Sequence, residues 1–263
     1  MDYLALISSI FYILAAVIAS NQLLSSQKIL TARFLLPTFI ALTTHCIWLY
    51  GHVFTLNGQN LQILNIVSAV TFIISLLSTV ATKRLNTGVL LPIVYGFTVI
   101  NFIAVSYLPS HFLTHLETHP QVGAHIIFAL LAYSILTIAS LLALQLAYLD
   151  YRLKNHKLSL TSVRMPPIMT IEKSLFQFIF IGFILLSCTL LTGFIFLEDM
   201  FAQGKAHKAI LSMVAWVLYG VILWGHYAQG WRGRLMVYVI IIGSSLLTLA
   251  YFGSRFVREI ILS

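Results

Sequence analysis

The stretch SLFQFIFIGFILLSCTLLTGFIFL, residues 174–197, runs for 24 positions without a charged side chain. A helix rising 1.5 Å per residue needs about 20 apolar residues to cross a hydrocarbon layer about 30 Å thick. The stretch therefore reads as a membrane span. Seven more runs of similar character flank it, at 3–20, 34–54, 61–82, 88–107, 123–148, 208–227 and 235–253. Composition agrees: 60% of the 263 residues are apolar and 8% are charged, against about 25% charged in a soluble domain. The mean hydropathy is +0.97. A soluble enzyme is excluded. The fold class expected is all-α, a polytopic transmembrane helical bundle of about eight spans forming one integral membrane domain over 1–263. The opening MDYLALISS lacks the basic region of a signal peptide, so the first run is expected to be a retained span.

Short polar connections separate the runs: SSQKILTAR (25–33), LNGQN (56–60), TKRLNTG (82–88) and YRLKNHKLSLTSVRMPPIMTIEK (151–173). The paired prolines in MPPIM (165–169) prevent a continuous helix there. Lys28, Arg33, Lys83, Arg84, Arg152, Lys154, Lys157, Arg164, Lys173, Arg232 and Arg234 all fall in alternate connections. The opposite side holds only Lys205, Lys208, Arg255 and Arg258. Basic residues accumulate on the cytoplasmic side of membrane proteins. The asymmetry places both termini outside, in the periplasm of a Gram-negative cell. It also accounts for the net charge of +8, which is a topology signal and not a nucleic-acid footprint.

An ionisable or strongly polar side chain inside a membrane is costly and points to function. His45 lies mid-span in LTTHCIWLYGH (42–52), with His52 two turns further on the same helix face, about 10 Å away. Asn65, Asn101, His125 and His207 lie toward the outer ends of their segments. This clustering on the outer half resembles a pocket open to the outside. For the two asparagines, interhelical hydrogen bonding is the simpler reading. His226, beside the cytoplasmic end of a span, suits a helix C-terminus, and His156 sits among lysines in a wet loop. Cys46 and Cys188 form no C-x-x-C pattern and read as small buried hydrophobes.

The seven carboxylates, Asp2, Glu117, Asp150, Glu172, Glu198, Asp199 and Glu259, all fall outside the spans. A buried hydrolase triad, which needs a carboxylate to orient its base, is poorly supported. No Gly-rich phosphate loop or H-E-x-x-H motif occurs. The chain is expected not to be an enzyme, and the lack of a membrane acid weakens a cation-coupled transporter. Neutral imidazoles remain, and they suit haem iron or a transition metal. Two axial haem ligands must approach from opposite faces of the ring, hence from different segments. His45, His125 and His207 are on three segments. His111, His115 and His119 in HFLTHLETHPQVGAH (111–125) are spaced four apart. They offer a surface metal site, although Pro120 disfavours helix at His119.

HKAILSMVAWVLYGVILWGHYAQGWRGRLMVYVIIIGSSLLTLAYFG (207–253) resembles the cytochrome c assembly family of haem-handling membrane proteins, with the HK, GWRGR and YFG elements carrying the likeness. GAHIIFALLAYSIL (123–136) is similar to the family's helix that begins with a haem-ligand histidine, and the resemblance runs along the whole chain. It implies a non-enzymatic inner-membrane protein holding haem b non-covalently near the outer face. His125 inherits the ligand role, with His45 or His207 as the second iron ligand. Lys208 and Lys205 are placed to meet haem propionates. Membrane lipid and other membrane or haem proteins are the implied partners. Two features depart from the family's exporters: LEDMFAQGKAHK (197–208) has no tryptophan-rich W-x-W-D core, and no second periplasmic histidine follows the last span. Export of haem to an apocytochrome is therefore not implied. The competing expectations are a transporter or accessory subunit for a divalent metal ion or small solute, and a partner subunit that only stabilises another membrane protein.

Overall fold

The computed structural model of the chain describes residues 2–25, 29–56, 58–85, 87–107, 112–116, 120–154, 167–196 and 206–253. The fold is all-α, a polytopic bundle whose eight long helices are α1 (Tyr3–Leu24), α2 (Ala32–Val53), α3 (Ile63–Leu85), α4 (Leu91–Tyr107), α5 (Pro120–Lys154), α6 (Ile168–Phe196), α7 (Ala206–Gln229) and α8 (Arg234–Thr248). All eight are long and apolar enough to cross a membrane, α4 together with the 3-10 turn Thr87–Leu90 and α8 together with the π turn Leu249–Gly253. Each expected span is present. The largest difference is in α5 and α6, which run 35 and 29 residues. Apolarity marks where a span lies in lipid, whereas the backbone ladder propagates until a breaker stops it. Pro120 starts α5 at a position that needs no amide proton, and no breaker interrupts Tyr151–Lys154.

The packing falls into two compact units. Residues 1–114 and 151–171 form the first; residues 115–150 and 172–263 form the second. In the first unit α1 packs on α2 and α4, and α3 on α2 and α4. Small residues Ala15, Ala19 and Ala41 are fully buried and let the backbones approach. Leu36, Phe39, Phe97 and Ile100 are exposed, as side chains facing lipid would be. Polar residues survive in these helices because their hydroxyls turn back on the preceding turn. Thr38 donates to the Phe34 carbonyl at 2.8 Å, Thr98 to that of Val94 at 3.0 Å and Ser106 to that of Phe102 at 2.9 Å.

A small antiparallel sheet, not anticipated from the sequence, closes one end of the first unit. β1 (Phe54–Thr55), β2 (Gly58–Asn60) and β3 (Leu113–Thr114) pair in that order, with Phe54 opposite Gln59 and Asn60 opposite Leu113. Gly58 takes a φ of 116°, open to glycine and strained for other residues. The Asn60 side-chain oxygen accepts the Phe112 amide at 3.1 Å and ties β2 to the segment entering β3.

In the second unit, α5 meets α6 where Gly182 lies under Leu136; a Cβ there would sit 2.6 Å from the leucine. Trp216 of α7 donates its indole proton to Ser187 of α6 at 2.8 Å and stacks on Phe183. Tyr219 of α7 lies against Gly243 of α8. The Tyr133 hydroxyl of α5 bonds Thr248 at 3.0 Å, and its ring packs on Tyr251 and Phe252 in the π turn. The YFG element is thus the landing point of α5.

Candidate functional site

His125 stands on α5 just inside its N-terminus and is half-buried. Its Nδ1 lies 3.2 Å from the Thr192 hydroxyl near the C-terminal end of α6. Thr192 also contacts the carbonyls of Cys188 and Thr189 in its own helix, at 2.8 and 3.0 Å. The imidazole of His125 also hydrogen-bonds the Thr189 backbone. Both contacts anchor the ring to α6, and a metal-binding imidazole is commonly held by such a contact at one of its nitrogens.

His207 and Lys208 open α7 in the same unit, His207 exposed and Lys208 half-buried. Lys205 lies outside the described residues. Among the described residues, no three His, Cys, Asp or Glu side chains converge as a protein-only metal centre would require. His115 is exposed. His111, Glu117, His119, His156, Lys28, Lys157, Arg164, Glu198, Asp199, Arg255, Arg258 and Glu259 lie outside the described residues.

His45 is in a different environment, within the first unit. It is fully buried, with 0% exposure. Nδ1 lies 3.0 Å from the Tyr12 hydroxyl on α1, and Nε2 lies 2.9 Å from Ser68 on α3. Phe72 and Phe102 pack against the ring. Both nitrogens are occupied, so iron could reach neither without breaking a buried bond. Tyr12 and Ser68 were not singled out from the sequence. A Tyr or Ser in an apolar run looks like ordinary span composition, and periodicity within one helix does not reveal a partner 33 or 23 positions away.

The other polar residues divide similarly. His52 stacks on Trp48, approaches the Trp48 carbonyl at 2.9 Å and lies 2.7 Å from the Asp2 carboxylate. Asn65 donates to the His52 carbonyl of α2, the interhelical bond expected of it, and makes two local bonds, donating to the Asn60 carbonyl and accepting from Gln62. Asn101 is buried, and neither polar atom of its side chain has a hydrogen-bond partner among the described residues. His226 stacks on Phe176, with ring centroids 3.4 Å apart, and its Nδ1 lies 3.3 Å from the Trp231 carbonyl. Cys46, expected to be buried, is exposed on α2, and Cys188 is intermediate. Cys46 follows the buried His45 by about 100° around the helix, enough to turn it outward.

The GWRGR element makes a tight turn between α7 and α8. Gly230 and Gly233 have φ of 66° and 94°. The Trp231 indole folds over Gly225, where a Cβ would overlap it. Arg232 pairs with Glu172 and Arg234 with Asp150, each at 3.3 Å. With the turn, the α5 helix and the π turn in place, the family comparison is decisive: the profile of the cytochrome C assembly protein family matches residues 34–262. The chain belongs to that family. This family member is 40% identical to the inner membrane protein YpjD of Escherichia coli strain K12 over 263 residues, covering 99% of this chain and 100% of that protein. The YpjD of Escherichia coli O157:H7 matches to the same extent. An uncharacterised 28.8 kDa protein of Azospirillum brasilense is 28% identical over 143 residues, 54% of this chain and 53% of its own length. No solved structure matches. The chain is a multi-pass inner-membrane protein related to cytochrome c assembly proteins.

Proposed function

We propose that this cytochrome c assembly family member binds haem b non-covalently at the outer end of α5, with His125 as a residue that would hold the iron and both chain termini outside. The observation that carries the reading is the state of His125: half-buried near the start of α5 and tethered to α6 through Nδ1 at Thr192 and through the Thr189 backbone. That donor fits haem iron, which takes a neutral imidazole through one nitrogen while the other is held. His207, exposed at the start of α7, is the second ligand in this reading, and Lys208 is placed for a propionate. His45 has a structural role, since both its nitrogens are committed to hydroxyls. Haem bound there supplies an iron centre; the chain's own residues position the imidazole and separate it from lipid. The protein holds or relays haem for other membrane or haem proteins and is not itself an enzyme.

The test is optical. The full-length protein in mild detergent, titrated with haemin, should develop a Soret band, and His125→Ala should lose it while retaining its elution profile. A protein that stays colourless with excess haemin overturns the reading.

A further inference from the structure

The hydrogen bond between His125 and Thr192 has a direction that the surrounding carbonyls decide. A threonine hydroxyl has one proton. Thr192 Oγ1 sits 2.8 Å from the Cys188 carbonyl and 3.0 Å from the Thr189 carbonyl. Those oxygens only accept, so the Thr192 proton goes to the helix backbone. If it pointed at His125 instead, two acceptor oxygens would face each other at hydrogen-bonding distance with no proton between them. The 3.2 Å contact with His125 is then satisfied when the imidazole donates from Nδ1 to the hydroxyl lone pair; the Thr189 backbone, which also hydrogen-bonds this ring, can only accept and so draws on the same proton. A neutral imidazole with its proton on Nδ1 has a bare lone pair on Nε2.

We infer that Thr192, beside the Thr189 carbonyl, is a positioning residue that favours the Nδ1–H tautomer of His125 and so leaves Nε2 as an electron-pair donor for a metal. The value of that lone pair to haem iron rests on the function proposed above; the tautomer does not. Position 192 suits the task because α6 is a regular helix there, so the carbonyls that take the hydroxyl proton are set by helix geometry. Contacts of this kind to a ligating histidine commonly change metal affinity by about 10- to 100-fold.

The experiment uses the full chain with nitrogen-15-labelled histidine, free of haem, and nuclear magnetic resonance of the ring nitrogens. The His125 signals are identified by their loss in His125→Gln. They should show a protonated Nδ1 and a bare Nε2. Thr192→Val keeps the shape, removes the hydroxyl acceptor at Nδ1 and leaves the Thr189 carbonyl; it should lower the Nδ1–H share and weaken haemin binding by about tenfold. Thr192→Ser keeps the hydroxyl and should restore both, which a purely structural role for the threonine methyl would not do. An Nε2–H tautomer in the parent protein, or a Thr192→Val protein with unchanged tautomer, overturns the inference. If the parent takes up no haemin while its His125 shows the Nδ1–H pattern and Thr192→Val disturbs it, the positioning role stands and the haem reading falls.

Discussion

Replacing His45 by alanine should loosen the first unit and, on the haem binding proposed above, leave haemin uptake intact. The imidazole bridges α1 and α3 from α2, through Tyr12 at 3.0 Å and Ser68 at 2.9 Å. Interhelical hydrogen bonds in a membrane protein contribute about 0.6 kcal/mol each on average and up to about 1.7. Losing both bonds therefore removes about 1–3 kcal/mol. Truncating the ring also opens space beside Phe72 and Phe102, and emptying a buried site of that size costs about 2 kcal/mol or more. The expected loss is about 3–5 kcal/mol. His45→Phe refills the volume and isolates the bond contribution, so it should lose only about 1–3 kcal/mol. Tyr12→Phe should be partly redundant with it, because each removes the same bond. Unfolding by sodium dodecyl sulfate in mixed micelles measures all of these, and haemin titration of the same samples reads the colour. A His45→Ala protein within about 1 kcal/mol of the parent would refute the clasp, since that is the scale of an ordinary substitution. A His45→Phe protein of nearly normal stability that had lost its Soret band would instead make His45 an iron ligand.

The two intramembrane asparagines should respond in opposite directions. Asn65→Leu breaks three hydrogen bonds and leaves their partners buried, so its unfolding midpoint should fall. Asn101→Leu removes two unpartnered polar atoms, and its midpoint should hold or rise; a fall comparable to that of Asn65→Leu would show that Asn101 has a partner after all. Gly225→Ala forces the Trp231 indole to move, which should shift the tryptophan emission and cost about 1–3 kcal/mol by overpacking. Unchanged emission and stability would place the indole elsewhere.

The spans were legible because membrane apolarity is a property of one segment at a time. The run at 174–197 announced α6 without reference to any neighbour. The ends were less legible, since Tyr151–Lys154 remain helical although four polar or charged-flank positions suggest a loop. The sheet was not legible in the polar connection LNGQN: its third strand arrives from residue 113, more than 50 positions later, and two-residue strands carry no periodic signal. The sites followed the same division. The residue types of interest, histidines in or near spans, were visible at once. Their partners were not, because Tyr12, Ser68 and Thr192 are hydroxyls on other helices and become informative only when the helices are packed.

His45 and His125 show what that missing information decides. Both are histidines within apolar helices, and both contact a threonine, serine or tyrosine hydroxyl. From the sequence either could ligate iron. The difference lies in where the neighbouring hydroxyls send their protons. At His45, a hydroxyl stands at each ring nitrogen, so one nitrogen donates, the other accepts, and no lone pair is left over. At His125 there is one hydroxyl, and its proton is drawn to the Cys188 and Thr189 carbonyls. On the inference drawn above, the imidazole supplies the proton for that contact and its second nitrogen keeps its lone pair. A metal can bind only the second kind of histidine without first disrupting the protein's own bonds. The proposed ligand role of His125 and structural role of His45 thus have a physical argument beside the family resemblance.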